Sequence, residues 1–505
     1  MDDSARQQIP PLSKYRFLAG LQCHKRLYLE CFHRDLADPT GTGLQAILDT
    51  GIKVGKLARD LYPEGVLVEG EHLNHEDAVA LTEKALSAAS IPAIYEAAFT
   101  YDGVRIHADI LARAGDDVFD LIEVKSGTRV REGQLFDVAI QLYVLKGCGI
   151  SVGRSCLAHL NTEYVHQGDG YDLGQLFCVK DVTDSVEEFL SNIPSALDKM
   201  RLPLWGLEPP DVAAQKQCSK PYICPFYSHC HTGETEHSLA RLPGASQELL
   251  RELEEAGVGG IREIPADFQG LTPIQRRARD CVVNSRVYLD PLLERELGQL
   301  EYPIHFLDFE TFSPALPLYA GTHPYQVMPF QWSDHIMEAG GEVGHKEFLH
   351  EAFQDPREPF ATSLLETLGT GGSIVAYSRY EATRIRELAI ELPHLASDLL
   401  ALLEGRIVDL LILVRRYCYH PEFHGSFSLK SVLPALVPEF SYSGLEISSG
   451  LLASAAYAEL ISPETSPERR DFLRRSLLEY CERDTEAMVQ LFKALKESHH
   501  AGSDL

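Results

Sequence analysis

Residues 120–127 read DLIEVKSG, a short aliphatic run that carries a glutamate and a lysine. Side chains alternate between the two faces of a strand, so Glu123 and Lys125 point the same way. A buried ion pair adds little stability by itself, because the cost of desolvation offsets the attraction between the charges. Two interpretations follow: a surface ion pair on an exposed strand edge, or half of a metal-dependent catalytic site.

The preceding strand supplies a third ionisable group. In IHADILA, residues 106–112, Asp109 lies on the face opposite its aliphatic neighbours, and a short turn joins this strand to the next. Two carboxylates on adjacent strands can hold Mg²⁺ or Mn²⁺ through oxygen. Such a cation polarises a phosphate and lowers the pKa of a water, and a lysine beside it orients that water or neutralises developing charge.

A helix over residues 133–147 and a strand near residues 155–161 follow, which predicts an α/β core. The pattern D-x13-E-x-K on a hairpin resembles the PD-(D/E)XK nuclease superfamily. The segment SKYRFLAGLQCHKRLYLE, residues 13–30, is similar to its RecB-like, CRISPR-associated branch. The resemblance implies a restriction-endonuclease-like fold, in which Leu145 replaces the usual tyrosine and the early segment GIKVGKLARDLYPEG has no histidine. The catalytic residues that it implies are Asp109, Glu123, Lys125 and Gln141.

The chain has eleven cysteines, three of them within thirteen residues. An odd count behind a polar N-terminus argues against a disulfide framework. In the RecB-like branch, one early and three late cysteines bracket the nuclease core and bind a [4Fe-4S] cluster. The resemblance implies the same role here for Cys23, Cys218, Cys224 and Cys230. Four thiolates also suit Zn²⁺; His229 and His231 keep that alternative open, and Cys31 competes with Cys23 as the fourth ligand.

A second pair of acids stands in HFLDFETF, residues 305–312, where Asp308 and Glu310 share one face of a strand. Far downstream, Tyr480 and Asp484 lie one turn apart on a predicted helix, and so on one face. A buried strand and a solvated helical face would explain each pattern alone. The two patterns occur in this order within a succession of predicted strands and helices, which favours one site built from both.

These motifs resemble the DnaQ-like exonuclease superfamily, with its D-x-E strand and its late Y-x3-D helix. The resemblance implies an RNase H-like fold in which four carboxylates hold two divalent ions and the tyrosine orients a water. In YSRYEATR, Glu381 takes the place of the middle acid and Ser378 that of an asparagine, while Asp409 is the alternative third carboxylate. Ser428 and Lys430 either approach substrate phosphates or begin a helix. The residues implied at this centre are Asp308, Glu310, Glu381, Tyr480 and Asp484.

A chain of 505 residues is too long for one core, and the sequence predicts three segments. Residues 1–235 form a RecB-like nuclease domain with its cysteine cluster, and residues 301–500 form a DnaQ-like 3′–5′ exonuclease domain. Residues 236–300 are mostly charged helices, either a linker bundle or a helix-hairpin-helix that binds a phosphate backbone. This order resembles bacterial fusion proteins over nearly the whole chain.

Composition and charge restrict the class of protein. The chain is 45% hydrophobic and 24% charged, with a formal net charge of -28. That charge argues against a wholly basic surface that coats nucleic acid, but it leaves room for a local basic groove. No run of about 18 apolar residues could span a membrane, and the polar N-terminus predicts a cytoplasmic protein.

The first hypothesis is a metal-dependent nuclease with two active sites that hydrolyses DNA, in repair or in defence against foreign DNA. A nucleic-acid-binding scaffold with one inactive nuclease domain is the alternative from another class. An RNA exonuclease is the third, because DnaQ-like domains act on both polymers. Nucleic acid, with DNA ahead of RNA, is the expected partner.

Overall fold

The computed structural model describes residues 9–39, 41–68, 74–213, 216–231 and 236–501. The chain divides into two compact units. The first comprises Met1–Thr232 and Pro314–Gln326, and the second comprises Gly233–Ser313 and Val327–Leu505. Both combine helices with mixed sheets, as the sequence predicts for an α/β protein. Among the described residues, no helix is both long enough and apolar enough to cross a membrane.

The first unit contains the predicted strands that carry Asp109 and Glu123, followed by the predicted helix and strand. Its helices are α1 (Lys14–Gln22), α2 (His24–Phe32), α3 (Thr42–Ala58), α4 (His75–Leu86), α5 (Glu132–Gly147), α6 (Leu173–Leu176), α7 (Thr183–Leu190), α8 (Ile193–Leu204) and α9 (Tyr227–Cys230). Its strands are β1 (Leu12–Ser13), β2 (Val66–Leu67), β3 (Ala93–Tyr101), β4 (Val104–Gly115), β5 (Val118–Lys125), β6 (Ser151–Leu160) and β7 (Phe177–Asp181).

The sheet of the first unit has the strand order β2-β3-β4-β5-β6-β7, and β1 pairs with β4. Strands β3, β4 and β5 form an antiparallel meander, whereas β5 and β6 are parallel and α5 connects them. Strand β5 is therefore an interior strand. Glu123 is only 1% exposed, which excludes its interpretation as part of an exposed strand edge.

Alternate residues of β5 enter two different cores. Leu121 packs in the core that contains Val138 and Leu142 of α5. Ile122 packs in the other core, which also receives Ala315 from the segment 314–326. Glu123 follows Leu121 by two residues, so it shares the face of the sheet that α5 covers.

The second unit is also built of helices and short strands. Its helices are α10 (Gln247–Glu255), α11 (Pro273–Asn284), α12 (Leu292–Leu297), α13 (Arg357–Leu368), α14 (Tyr380–Glu391), α15 (Ala396–Ala401), α16 (Leu410–Tyr417), α17 (Leu429–Leu436), α18 (Gly450–Leu460) and α19 (Pro467–Ala501). Its strands are β8 (Tyr288–Leu289), β9 (Ile304–Phe312), β10 (Met328–Met337), β11 (Val343–Leu349), β12 (Ser373–Ala376), β13 (Ile407–Asp409) and β14 (Cys418–Tyr419).

The larger sheet of this unit has the strand order β11-β10-β9-β12-β13. Strand β10 is antiparallel to both β9 and β11, whereas β12 and β13 continue the sheet in parallel with β9. Phe306 of β9 packs against Phe492 of α19, with ring centroids 5.4 Å apart. Because side chains alternate along a strand, Asp308 and Glu310 face the same helix.

The predicted linker contains the helices α10, α11 and α12, and α10 begins with a side-chain N-cap. Ser246 caps α10 by accepting a hydrogen bond from the Leu249 amide at 3.1 Å. The turn after α10 leads to a short 3₁₀ helix at Ile261–Glu263, where the Gly259 amide donates to Glu263 Oε2 at 2.6 Å. That amide is engaged within the chain, so phosphate binding by this turn stays a prediction.

Candidate active sites

The first cluster lies where β4 and β5 run side by side. Extending the register beyond the Ile110–Ile122 pair places Asp109 next to Glu123. Asp109 Oδ2 accepts a hydrogen bond from the Val124 amide at 2.7 Å, and Lys125 Nζ lies 2.6 Å from Glu123 Oε1. The structure thus brings the predicted aspartate, glutamate and lysine together.

Helix α5 adds two side chains one turn apart. Gln141 Nε2 donates to Glu123 Oε2 at 2.7 Å, so the predicted glutamine is in place and fully buried. Asp137, which the sequence interpretation missed, lies 2.5 Å from Lys125 Nζ through its Oδ2. The spacing of four residues was the available signal, because residues i and i+4 share one helix face.

Lys14 is the second residue that sequence reasoning missed. It begins α1, and its Nζ donates to both carboxylate oxygens of Glu123, at 2.9 and 3.0 Å. The same ammonium lies 3.8 Å from Asp109 Oδ1 and 3.7 Å from Asp137 Oδ1. A positive charge therefore stands between the two carboxylates predicted to hold a cation. No local pattern marks Lys14, since its partners are about a hundred residues away.

The carboxylates of this cluster differ in the direction in which their surroundings shift the pKa. Burial and the neighbouring Glu123 raise the pKa of Asp109 to about 7. Burial alone would raise the pKa of Glu123, but the ammonium groups of Lys125 and Lys14 outweigh it and hold that pKa well below its usual range. Burial and Glu123 also raise the pKa of Asp137. Glu123 is thus the permanently ionised member, and Asp109 is poised to gain or lose a proton near neutral pH.

The second cluster gathers acids from β9 and α19. One carboxylate oxygen each of Asp308, Glu310 and Asp484 lies within 4.8 Å of the others, a spacing at which they could hold a metal ion. Cys481 Sγ lies 3.6 Å from Asp308 Oδ2, so α19 contacts β9 directly at this group. The D-x-E strand and the late helix therefore meet as the sequence predicts.

Glu381 lies near this group but does not belong to it, since the group contains only ligand atoms within 4.8 Å of one another. It stands in the first turn of α14, is 4% exposed, and its Oε2 has no hydrogen-bond partner. Its charge contributes to the raised pKa values of Asp308 and Glu310. Asp409, the alternative acid, instead caps α16 by accepting from the Ile412 amide at 3.1 Å.

A lysine and two tyrosines complete the second cluster. Lys430 Nζ donates to the Tyr480 hydroxyl at 3.2 Å and to the Ser448 carbonyl at 2.6 Å. The same ammonium lies over the Tyr442 ring, 5.2 Å from its centroid. Burial and the Asp484 carboxylate raise the pKa of both tyrosines well above the usual range. Tyr442 comes from the loop between α17 and α18, and no motif in the sequence pointed to it.

The acids of the second cluster resist simultaneous ionisation. Burial and the charges of Asp484 and Glu310 raise the pKa of Asp308 well above its usual range. Burial and Asp484 raise the pKa of Glu310 to about 8, and burial with Asp409 raises that of Glu381 to about 7. Repulsion of this kind is relieved when a cation binds among the carboxylates.

The four predicted cysteine ligands line one pocket in the first unit: Cys23, Cys218, Cys224 and Cys230. Lys25 and Arg26 line the same pocket and can offset the negative charge of thiolates. The side-chain amide of Gln22 donates to the carbonyls of residues 217, 220 and 222, and so holds the loop that carries the late cysteines. Cys31 instead packs against the main core of the unit.

The spacing of the thiols bears on the group that they would hold. Within the described part of the chain, no three of these four sulfur atoms lie within 4.8 Å of one another, whereas sulfurs on one tetrahedral Zn²⁺ would be about 3.8 Å apart. His231 Nδ1 is bonded to the Tyr227 carbonyl at 2.8 Å, and its ring stacks on that tyrosine. Four thiols are a donor set that either an iron–sulfur cluster or Zn²⁺ can use, and a cluster spreads its thiolates further apart than a single ion does.

Comparison with known families gives a match to part of the chain. A family described as a domain of unknown function (DUF2779) matches residues 305–428. No curated protein and no solved structure matches the chain. The matched region includes Asp308, Glu310 and Glu381, but it ends before Lys430 and Asp484.

Proposed function

We propose that this protein is a metal-dependent nuclease that hydrolyses phosphodiester bonds of DNA at two active sites. The observation that carries the proposal is the grouping of Asp308, Glu310 and Asp484 within 4.8 Å. Three mutually repelling carboxylates, of which Glu310 is buried and Asp308 and Asp484 are half-buried, are unfavourable unless protons or a cation neutralise them. Carboxylate oxygens are the ligands that Mg²⁺ prefers, so the donor set fits such an ion.

At the second site the proposal gives each residue a separate task. Divalent cations, when bound, supply positive charge for a phosphate and acidify a water. The group of three carboxylates would hold them, and Glu381 would offer the buried oxygen that lacks a partner. Tyr480 orients the attacking water, and Lys430 places its ammonium beside the same group. The central D-x-E strand, flanked by an antiparallel pair and a parallel pair, supports an RNase H-like, DnaQ-like exonuclease domain.

At the first site the residues fit a PD-(D/E)XK nuclease. Asp109 and Glu123 are the proposed metal ligands, and Gln141 orients Glu123 through their 2.7 Å hydrogen bond. Lys125 is held between Glu123 and Asp137, where it can position a water or neutralise charge on a phosphate. The order of three strands, a helix and a parallel strand supports a restriction-endonuclease-like core of the RecB-like branch.

The cysteine pocket has a structural role in this proposal. A [4Fe-4S] cluster on its four thiolates would tie α1 and α2 to the loop and short helix at residues 216–230. Metal-binding energy in such sites contributes directly to folding. Because Lys14 lies at the opposite end of α1 from Cys23, the same tie would hold Lys14 against Glu123.

A single-site enzyme with a nucleic-acid-binding first unit is the second candidate. The observation that favours it is the ammonium of Lys14, which contacts both oxygens of Glu123 at 2.9 and 3.0 Å. If that ammonium is not displaced, it excludes a divalent cation from the first site. The first unit would then bind nucleic acid without cutting it.

The test is a nuclease assay on end-labelled single- and double-stranded DNA and RNA, with Mg²⁺ or Mn²⁺ and with EDTA. Under the proposal, Lys125→Ala removes one activity and Asp308→Ala removes the other, and DNA is cut in preference to RNA. Activity that only Asp308→Ala removes supports the single-site candidate. A preference for RNA supports the RNA exonuclease, and absence of cation-dependent cleavage of all four polymers refutes the nuclease assignment.

A further inference from the structure

A third group of ionisable side chains lies apart from both acidic centres, within the second unit. Glu236 comes from the start of its described part, whereas Glu422 and His424 come from YHPEFHG, residues 419–425. One ligand atom from each of these three residues lies within 4.8 Å of the other two. Two carboxylates and an imidazole from segments almost 190 positions apart in sequence therefore converge on one point.

A fourth side chain stands next to this group. His237 is 7% exposed, and its ring centroid lies 5.7 Å from that of His424. Nδ1 of His237 and Nδ1 of His424 are both buried without a hydrogen-bond partner. Leaving a buried polar atom unsatisfied costs about 1–3 kcal/mol, so each of these two nitrogens calls for a partner. The other ring nitrogen of His424, Nε2, lies 3.3 Å from Glu422 Oε2.

The separation of the two rings suits one shared ion. With a metal–nitrogen bond of about 2.0–2.1 Å, two imidazoles on one tetrahedral ion have centroids about 5–6 Å apart. His237 lies outside the group of three, so binding of a shared ion requires the His237 imidazole to approach the other three ligands. Two imidazoles with two carboxylates suit Zn²⁺ and similar transition metals, whereas Mg²⁺ prefers oxygen alone.

The backbone holds these side chains in place. His424 and Gly425 both have positive φ, 47° and 80°, and Gly425 packs so closely on the Arg241 carbonyl that a Cβ would not fit. The Ile261 amide donates to the His237 carbonyl at 2.9 Å. His420 Nδ1 accepts a hydrogen bond from the Glu422 amide at 3.1 Å, which fixes the turn before His424. The two segments are thus positioned by contacts that do not involve the converging groups.

We propose that one divalent transition-metal ion, with Zn²⁺ as the first candidate, is bound by Glu236, His237, Glu422 and His424. The site ties residues 236–237 to the loop that follows β14, and it uses no residue of the acidic centres or of the cysteine pocket. Its ligands come from both segments, so the ion holds them together as a cross-link. The proposal is independent of the nuclease assignment, because it requires no activity.

The experiment compares full-length variants purified without oxygen and dialysed against a small excess of Zn²⁺ in the presence of Mg²⁺. Zinc and iron per chain are measured by mass spectrometry, and Zn²⁺ affinity by titration calorimetry. Glu422→Gln changes an exposed side chain and is expected to fold. His394→Gln is the matched control, because His394 forms an exposed pair with Glu358 at 3.0 Å away from the proposed ligands.

The expected result is one zinc fewer per chain in Glu422→Gln and in His237→Gln than in the parent or in His394→Gln, with iron content unchanged. Zn²⁺ affinity at that site should fall at least tenfold, and added Zn²⁺ should raise the melting temperature of the parent but not of Glu422→Gln. Equal zinc content and affinity in the parent and Glu422→Gln overturn the site. Loss in Glu422→Gln with full retention in His237→Gln overturns the four-ligand assignment.

Discussion

Glu310→Gln should make the metal-free protein more stable while it removes activity at the second site. In the folded protein the pKa of Glu310 is raised from 4.5 to about 8, by burial and by the charge of Asp484. Between those two pH values the unfolded chain has released this proton and the folded chain has kept it, so stability falls as pH rises. At about 1.4 kcal/mol per pH unit, full ionisation of Glu310 costs the fold roughly 5 kcal/mol.

Glutamine keeps the shape of the side chain and removes this cost. The pKa of about 8 already includes the attraction of Lys430 for the Glu310 charge. Part of the gain is lost because glutamine buries an amide group, so we expect a net stabilisation of about 2–3 kcal/mol at pH 8. For a domain of this size that corresponds to a rise in melting temperature of about 5 °C or more. At pH 5 the difference should shrink to about 1 kcal/mol or less, because Glu310 is uncharged in the fold and the unfolded chain has released only part of this proton.

The assay is thermal unfolding in EDTA at pH 5 and pH 8, repeated with Mg²⁺. Glu404→Gln, at an exposed position, is the matched control and should shift the melting temperature equally little at both pH values. Mg²⁺ should stabilise the parent at pH 8 and stabilise Glu310→Gln less. If Glu310→Gln melts no higher than the parent at pH 8 in EDTA, the carboxylates do not repel one another as their grouping requires.

Three further outcomes are expected. Lys14→Met removes the ammonium that lies 2.9 Å from Glu123. The Mg²⁺ concentration for half-maximal cleavage at the first site should then fall about tenfold, which corresponds to ~1.4 kcal/mol of binding free energy. An unchanged Mg²⁺ dependence would show that this ammonium does not compete with the cation. Cys224→Ser should lower both iron content and the melting temperature of the first unit in calorimetry, whereas Cys148→Ser, at an exposed cysteine, should do neither. Tyr480→Phe is measured in a Lys125→Ala background, in which only the second site is expected to be active. It should reduce kcat about 10²-fold with little change in KM, because it removes the group that orients a water. A change confined to KM would assign Tyr480 to substrate binding.

Local periodicity was sufficient wherever a site residue and its neighbours lie on one element. Alternation along a strand placed Glu123 and Lys125 on one face, and the structure puts their charged atoms 2.6 Å apart. The spacing of four residues on a helix placed Tyr480 and Asp484 together in the same way. The α/β class followed from the same patterns, since strands and helices impose periods of two and 3.6 residues on the sequence.

Residues that join a site from distant segments left no such pattern. Lys14 reaches Glu123 across 109 positions, and Tyr442 reaches Asp484 from a loop between two helices. Neither belongs to a repeating face, so only the packing of α1 and of that loop decides their neighbours. The interpretation of DLIEVKSG as an exposed strand edge was wrong for the same reason. Strand β5 lies between β4 and β6, and the sequence of a single strand does not specify its neighbours in the sheet.

The sequence by itself determined which chemical groups are present, on which faces of their own helices and strands they lie, and that this is an α/β chain with two acidic motifs. Tertiary structure alone decided that Glu123 is shared by two lysines, that Glu381 lies outside the closest group of acids, and that His237 meets His424. The physical reason is the distance along the chain over which each kind of interaction acts. Backbone geometry repeats over a few residues and fixes local faces, whereas burial, repulsion and pKa depend on groups that chain folding brings within a few ångströms from any distance in sequence.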